Sequence, residues 1–209
     1  MKRYKNIRKI MGAIVSVCIL LSSNAIGVSA HEIYYEGSTP IPLKWYDVSN
    51  RTAKLKINGD LLHSDCYAHY SAIRTAWPNA SSRVSVTAVE FSRANVALAT
   101  PTMDYWNSRW VGRADEIYGV CDSSSTDGLQ LNSWQNAKAS SGLISYAGIL
   151  ITPYLNFHNS THMKKTMVHE IGHALGLGHT TEVSVMIQGV VKTYYTPQPH
   201  DVADLNNKY

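Results

Sequence analysis

Residues 169–179 read HEIGHALGLGH and set three histidines and one glutamate at short, fixed intervals. His169 and His173 are one helical turn apart, so their imidazoles leave the same face of a helix. Two ring nitrogens disposed this way can reach a single metal ion at about 2.0–2.1 Å. Glu170 follows His169 directly and can contact a water on that ion. Gly176, three residues after His173, can adopt the left-handed conformation that ends a helix and turns the chain sharply. That turn lets His179 swing back as a third ligand. In an uninterrupted helix His179 would sit about 15 Å further along the axis than His169 and could not share the ion. Three neutral imidazoles with one open position is the arrangement of catalytic zinc, not structural zinc. One Zn2+ is therefore the expected cofactor, with Glu170 as general base in metal-assisted hydrolysis.

These groups need a rigid support, and the surrounding pattern supplies one. At 100° per residue, Met163, Met167, Ile171, Ala174 and Leu175 cluster on one side of a helix running from about Thr161 to Gly176. His169 and His173 lie roughly opposite. Gly172 stands out, since glycine inside a helix costs about 1 kcal/mol relative to alanine, and close packing is one reason to keep it. Upstream, alternation in residues 53–57 predicts a strand that ends at the Asn58-Gly59-Asp60 turn. A helix capped by Ser64 or Asp65 follows, with Cys66, Tyr70, Ile73 and Trp77 at helical spacing and Pro78 as its stop. Strands are predicted over Val84 to Phe91, Val96 to Ala99, Ile117 to Cys121 and Ser145 to Leu155. Tyr105, Trp106 and Trp110 fall in a stretch without clear periodicity. A last helix after Pro199 carries Val202, Leu205 and Tyr209 on one stripe, and His200-Asp201 reads as its start. The order of elements is that of an α+β domain.

Composition narrows the setting. Lys2, Arg3, Lys5, Arg8 and Lys9 precede an apolar run from Ile10 to Leu21, and small residues lead to Val28-Ser29-Ala30. Basic segment, apolar segment and small-residue site together read as a secretory signal peptide over residues 1–30, followed by one domain over 31–209. The apolar run of 12 residues is short of the ~20 that a spanning helix requires. The leader carries five of the 19 basic residues and none of the 15 acidic ones, so the remainder is formally −1. The overall charge of +4 thus gives no reason to expect nucleic acid or a membrane surface as partner. A secreted, extracellular monomer is expected. Cys66 and Cys121 form an even pair in an exported chain, from which one disulfide is expected.

The motif resembles that of the metzincin metallopeptidases, HExxHxxGxxH followed by a methionine-containing turn. His169, Glu170, His173, Gly176 and His179 match every fixed position, and Met186 in Ser184-Val185-Met186 fits the Met-turn. In wording, HEIGHALGLGH is similar to the matrixins and their small bacterial relatives, and residues 201–205 resemble the start of their C-terminal helix. The resemblance implies a twisted mixed sheet, a long active-site helix, a Met-turn and a C-terminal helix. It also implies an edge strand to which an extended peptide or protein substrate docks antiparallel; Ile117 to Cys121 is the candidate. Neither Cys66 nor Cys121 sits in a cysteine-switch motif, and Gln188 stands where astacin-like members have tyrosine. His158, His162, Asp122 and Asp127 do not form a recognisable set for a second zinc, and structural Ca2+ is unsupported.

Three readings follow. The leading one is a secreted zinc endopeptidase. A zinc-containing binding or adhesion module that has lost catalysis would have no need of Glu170. An enzyme acting on a non-peptide amide would share the same metal chemistry.

Overall fold

Buried Ala53, Leu55 and Ile57 alternate with exposed Lys54 and Lys56 to build one long strand, Thr52–Leu61, around which the sheet assembles. The computed structural model describes residues 34–36, 39–41, 43–188 and 194–209. The segment expected to direct export lies outside them. No helix among the described residues is long and apolar enough to cross a membrane. In chain order the strands are β1 (Tyr34–Glu36), β2 (Thr39–Ile41), β3 (Lys44–Trp45), β4 (Val48–Ser49), β5 (Thr52–Leu61), β6 (Val84–Ala88), β7 (Val96–Ala99), β8 (Gly119–Ser125) and β9 (Leu143–Ile151). The helices are α1 (Ser64–Tyr67), α2 (Tyr70–Ala80), α3 (Met103–Arg109), α4 (Trp134–Ala139), α5 (Ser160–Ala174) and α6 (Pro199–Lys208).

Strands β1 and β2 form a separate antiparallel pair. The remaining seven form one mixed sheet. Its body is parallel: β6 pairs with one side of β5, β7 with the other, and β9 with β7. Strand β8 runs antiparallel along the far side of β9, from Gly119 opposite Ile151 to Ser125 opposite Ile144. Short β4 pairs antiparallel with the start of β5, and β3 lies parallel to the start of β9. Helices α2 and α5 pack over one face with Ile57, Trp77, Ile149, Ile151, Met163, Met167 and Ile171 between the layers. Trp106 of α3 covers the other face with Val120 and Leu150. The α+β class is as expected.

Several local expectations are corrected. The Asn58-Gly59-Asp60 triplet does not turn the chain, because β5 continues through it with a register shift. Asn58 donates to the Val89 carbonyl at 2.8 Å and to Asp60 at 3.0 Å, and the ring of Tyr70 packs where a Cβ on residue 59 would stand. The helix after His63 is broken into α1 and α2, and it continues past Pro78 as far as Ala80. The strand from Val84 stops at Ala88, with a 3-10 turn at Phe91–Arg93. The aperiodic aromatic stretch contains α3, capped by Thr102 accepting from the Tyr105 N–H at 3.3 Å. Helix α6 begins at Pro199; of its expected stripe Leu205 and Tyr209 are buried and Val202 is half-buried.

The expected disulfide is not formed. Cys66, on α1, is buried with its Sγ 3.5 Å from Met163 Sδ and 3.9 Å from the His158 ring. Cys121, on β8, has its Sγ 3.5 Å from Ser123 Oγ. The two thiols are thus held on different elements by different neighbours. Burial foremost, with the Asp65 charge adding, pushes the Cys66 thiol up to about 11, against a hydrogen bond with Thr100, and so keeps it protonated and unreactive. Alkylation of the unfolded protein without reductant should label both Cys66 and Cys121; intact mass would read this, and a chain carrying neither label would refute it.

Candidate metal centre

Helix α5 is capped by Asn159, whose side chain accepts from the His162 N–H at 3.0 Å. Ten of its fifteen residues are buried, His169 and Glu170 among them, and His173 is half-buried, so it is a central element and not a surface one. It ends one residue short of the expected turn. Gly176 has φ 80°, its N–H bonds the His173 carbonyl at 2.9 Å, and the Leu177 N–H bonds the Gly172 carbonyl at 2.9 Å. This pair of bonds is a Schellman motif, which requires the left-handed residue at that position. The Leu43 carbonyl occupies the space a Cβ on residue 176 would fill, which excludes any side chain there. The end of α6 holds this corner: Tyr209 Oη donates to the Leu175 carbonyl at 2.8 Å, and Lys208 Nζ donates to the Leu43 carbonyl at 2.8 Å.

The turn brings His179 back to the other two imidazoles. Their Nε2 atoms form a nearly equilateral triangle: 3.1 Å from His169 to His173, 3.2 Å from His173 to His179 and 3.2 Å from His179 to His169. Behind this triangle, His169 Nδ1 lies 2.9 Å from the Val185 carbonyl and His173 Nδ1 lies 2.7 Å from the Leu177 carbonyl. Carbonyls only accept, so these contacts put the ring protons on Nδ1 and aim the Nε2 lone pairs at one point. Tetrahedral ligands at about 2.0–2.1 Å from zinc are separated by about 3.3–3.4 Å. The observed triangle is close to that spacing, and converging lone pairs repel unless a cation lies among them. The residues present fit zinc.

Met186 packs against α5 at Gly172, between the two helical histidines in sequence. It is fully buried, and a Cβ added to Gly172 would land on its sulfur and 2.9 Å from Trp77. That close approach accounts for a glycine inside a buried helix. The turn carrying Met186 is tied to α6 by Asp201, which accepts from Ser184 Oγ, from the Val185 N–H at 3.0 Å and from the Gln198 N–H at 2.7 Å. Val185 in turn presents its carbonyl to His169. One buried carboxylate therefore links the C-terminal helix to the orientation of a ligand.

Glu170 points toward β8. Its side chain packs on Gly119, where a Cβ would stand 3.1 Å from its Oε1 and would overlap Thr166, and it accepts a hydrogen bond from the Cys121 N–H. Burial first, then the charge of Asp122, raises the Glu170 carboxyl to about 8, against the lowering effect of that N–H. A divalent cation at the triangle would act in the opposite direction. Asp122 itself is gripped by Arg109 of α3 through two bonds of 2.6 and 2.7 Å. Burial works against the Arg109 charge, but Asp122 outweighs it and holds the guanidinium above its usual value.

Four supporting residues escaped the sequence reading: Arg109, Gly119, Asp122 in its ion pair, and Asp201 as the anchor of the Met-turn. A glycine within a strand is a sign of close backbone approach, so Gly119 left a trace. The others depend on long-range contacts. Of the residues considered for a second metal, Asp122 is taken by Arg109, Asp127 bonds the Ser141 N–H at 2.9 Å, and His162 Nδ1 meets the Asn159 side chain at 2.7 Å.

The family model described as Matrixin matches residues 22–209 of the chain. No curated protein matches it. The mixed seven-stranded sheet with its helices agrees with the metzincin-like fold of that family, whose members use a catalytic zinc.

Two substitutions test this architecture. Gly172→Ala should destabilise the protein by about 1–3 kcal/mol in urea unfolding, although alanine is the better helix former, because overpacking against Met186 and Trp77 outweighs propensity. Asp201→Ala should cost about 3 kcal/mol through the buried donors it strands, and chelator competition should read at least a tenfold weaker zinc affinity. A neutral result for Asp201→Ala in both measurements would remove its role.

Proposed function

Because the chain belongs to the matrixin family of metallopeptidases, we propose that it is a secreted zinc-dependent endopeptidase with His169, His173 and His179 as ligands and Glu170 as general base. The observation that carries this reading is the convergence of the three Nε2 atoms within 3.1–3.2 Å, with Glu170 on the same buried helix. Zinc held there supplies Lewis acidity, acidifying water and polarising a peptide carbonyl. Glu170 takes the proton of the water that attacks the carbonyl carbon, then delivers it to the amine as the carbon–nitrogen bond breaks. The Val185 and Leu177 carbonyls behind His169 and His173 keep those two rings from rotating during that cycle.

Strand β8 is the surface on which substrate is aligned. The Thr152 N–H bonds the Tyr118 carbonyl at 3.0 Å, which fixes the parity of the ladder: residues 118, 120 and 122 bond toward β9. Gly119 and Cys121 therefore direct their peptide groups away from β9. An extended peptide added antiparallel along this edge gains main-chain hydrogen bonds while its scissile bond lies beside Glu170. The strand that aligns substrate is thus the strand that holds the base, through the Cys121 N–H. Residues 1–30 serve as the export signal and 31–209 as the catalytic domain. The substrate is an extended peptide or unfolded protein, and the working unit is a monomer with no nucleic-acid partner.

Glu170→Gln should retain stoichiometric zinc while casein cleavage falls by about 10²–10⁴. A variant that cleaves casein at the parent rate would reject the assignment of the base. A peptide library should be cleaved internally by the purified protein, lose cleavage with a zinc chelator, and regain it when zinc is restored.

A further inference from the structure

A second cluster of ligand-bearing side chains lies at the opposite end of α5. His63, Asp65 and His158 each bring one ligand atom within 4.8 Å of the others. Asp65 Oδ2 is 3.5 Å from His63 Nδ1 and 3.8 Å from His158 Nδ1. The hydrogen bonds around them specify which nitrogen carries the proton on each ring. His158 Nε2 lies 2.7 Å from the Thr152 carbonyl, an acceptor, so the proton is on Nε2 and Nδ1 presents a lone pair. His63 Nδ1 accepts the Asp65 N–H at 3.4 Å as the cap of α1, so that nitrogen too is unprotonated, and an ion would take the place of this long hydrogen bond. Two unprotonated imidazole nitrogens therefore lie 3.5 and 3.8 Å from one carboxylate oxygen, a donor set that a cation can share.

We propose that His63, Asp65 and His158 form a second divalent-cation site that takes zinc, separate from the histidine triangle. Two imidazoles and one carboxylate are a zinc donor set. The His158 side chain is 2% exposed and fixed by Thr152, whereas the side chains of His63 and Asp65 are 42% and 53% exposed. One rigid ligand and two adjustable ones can contract to the ~3.3–3.4 Å separation of a tetrahedral ion without backbone movement. The His63 backbone is itself held by Thr100 Oγ1, which accepts its N–H at 2.9 Å. Cys66 adjoins the His158 ring at 3.9 Å but turns its sulfur to Met163 Sδ at 3.5 Å, so it is a neighbour of the three donors. His158 immediately precedes Asn159, the cap of α5, and ten residues of helical rise put His169 about 15 Å away. An ion there would pin the start of α1 to the entrance of the helix that bears the triangle, and so act on stability instead of on the hydrolytic step.

The test counts zinc. Purified protein is stripped with chelator, equilibrated with micromolar zinc, freed of excess, and analysed by elemental mass spectrometry. Two ions per chain are expected for the parent and one for Asp65→Asn, whose casein cleavage should be unchanged because the triangle is intact. His63→Asn, which keeps a capping side chain on α1, should also bind one. His173→Ala should bind one and lose cleavage, and added zinc should still raise its melting temperature; Asp65→Asn in that background should abolish the rise. A parent that binds a single ion, or an Asp65→Asn variant that keeps two, would overturn the second site. Failure of the catalytic reading would appear separately, as His173→Ala retaining full cleavage.

Discussion

The left-handed turn at Gly176 is the constraint on which the rest of the structure depends. Without it the third imidazole would be carried away along α5, and two nitrogens alone would leave the candidate metal centre incomplete. The turn is not an isolated preference of one glycine. The Leu43 carbonyl fills the space of the missing Cβ, Lys208 bonds that carbonyl, and Tyr209 bonds the carbonyl of Leu175. The first strand of the main sheet and the last residues of the chain thus close on the same corner. Residues far apart in sequence give the helix end a single conformation, and that conformation determines where His179 stands.

A second line of force runs through the Met-turn. Asp201 anchors Ser184 and Val185, Val185 orients His169, and Met186 fills the space that Gly172 leaves against Trp77. Each link is short and buried, so a disturbance in α6 is felt at a ligand without passing through solvent. On the other side, Arg109 and Asp122 fix β8, and β8 holds Glu170 through Cys121 and Gly119. The three imidazoles and the Glu170 carboxylate are therefore positioned by different parts of the fold. The imidazoles depend on the C-terminal helix and its contacts, and the carboxylate depends on the sheet edge and α3.

Helix α5 bears His169, Glu170 and His173 near its C-terminal end and meets the His63, Asp65 and His158 cluster just before its N-terminus. Because the helix is buried along most of its length, its axis cannot shift without repacking Met163, Met167 and Ile171 against the sheet. A cation at the N-terminal cluster would constrain the same rigid body from its other end.

The motif over 169–179, the α+β order and the C-terminal helix were legible because each rests on local rules: helical spacing of ligands, a glycine at a helix end, apolar periodicity. Local rules also produced the errors. Asn58-Gly59-Asp60 has turn composition, yet pairing with β7 and the ring of Tyr70 keep it in a strand. Cys66 and Cys121 are an even pair, yet burial on separate elements gives each thiol other neighbours. The sequence by itself determined which residues could bind and activate, since donor type and spacing are properties of the chain. Only the tertiary structure decided that Gly172 makes room for Met186, that Asp201 secures the Met-turn, that β8 cradles Glu170, and that His158 meets His63 and Asp65. Those contacts join residues distant along the chain, and their geometry is set by how the layers pack, which no local pattern encodes.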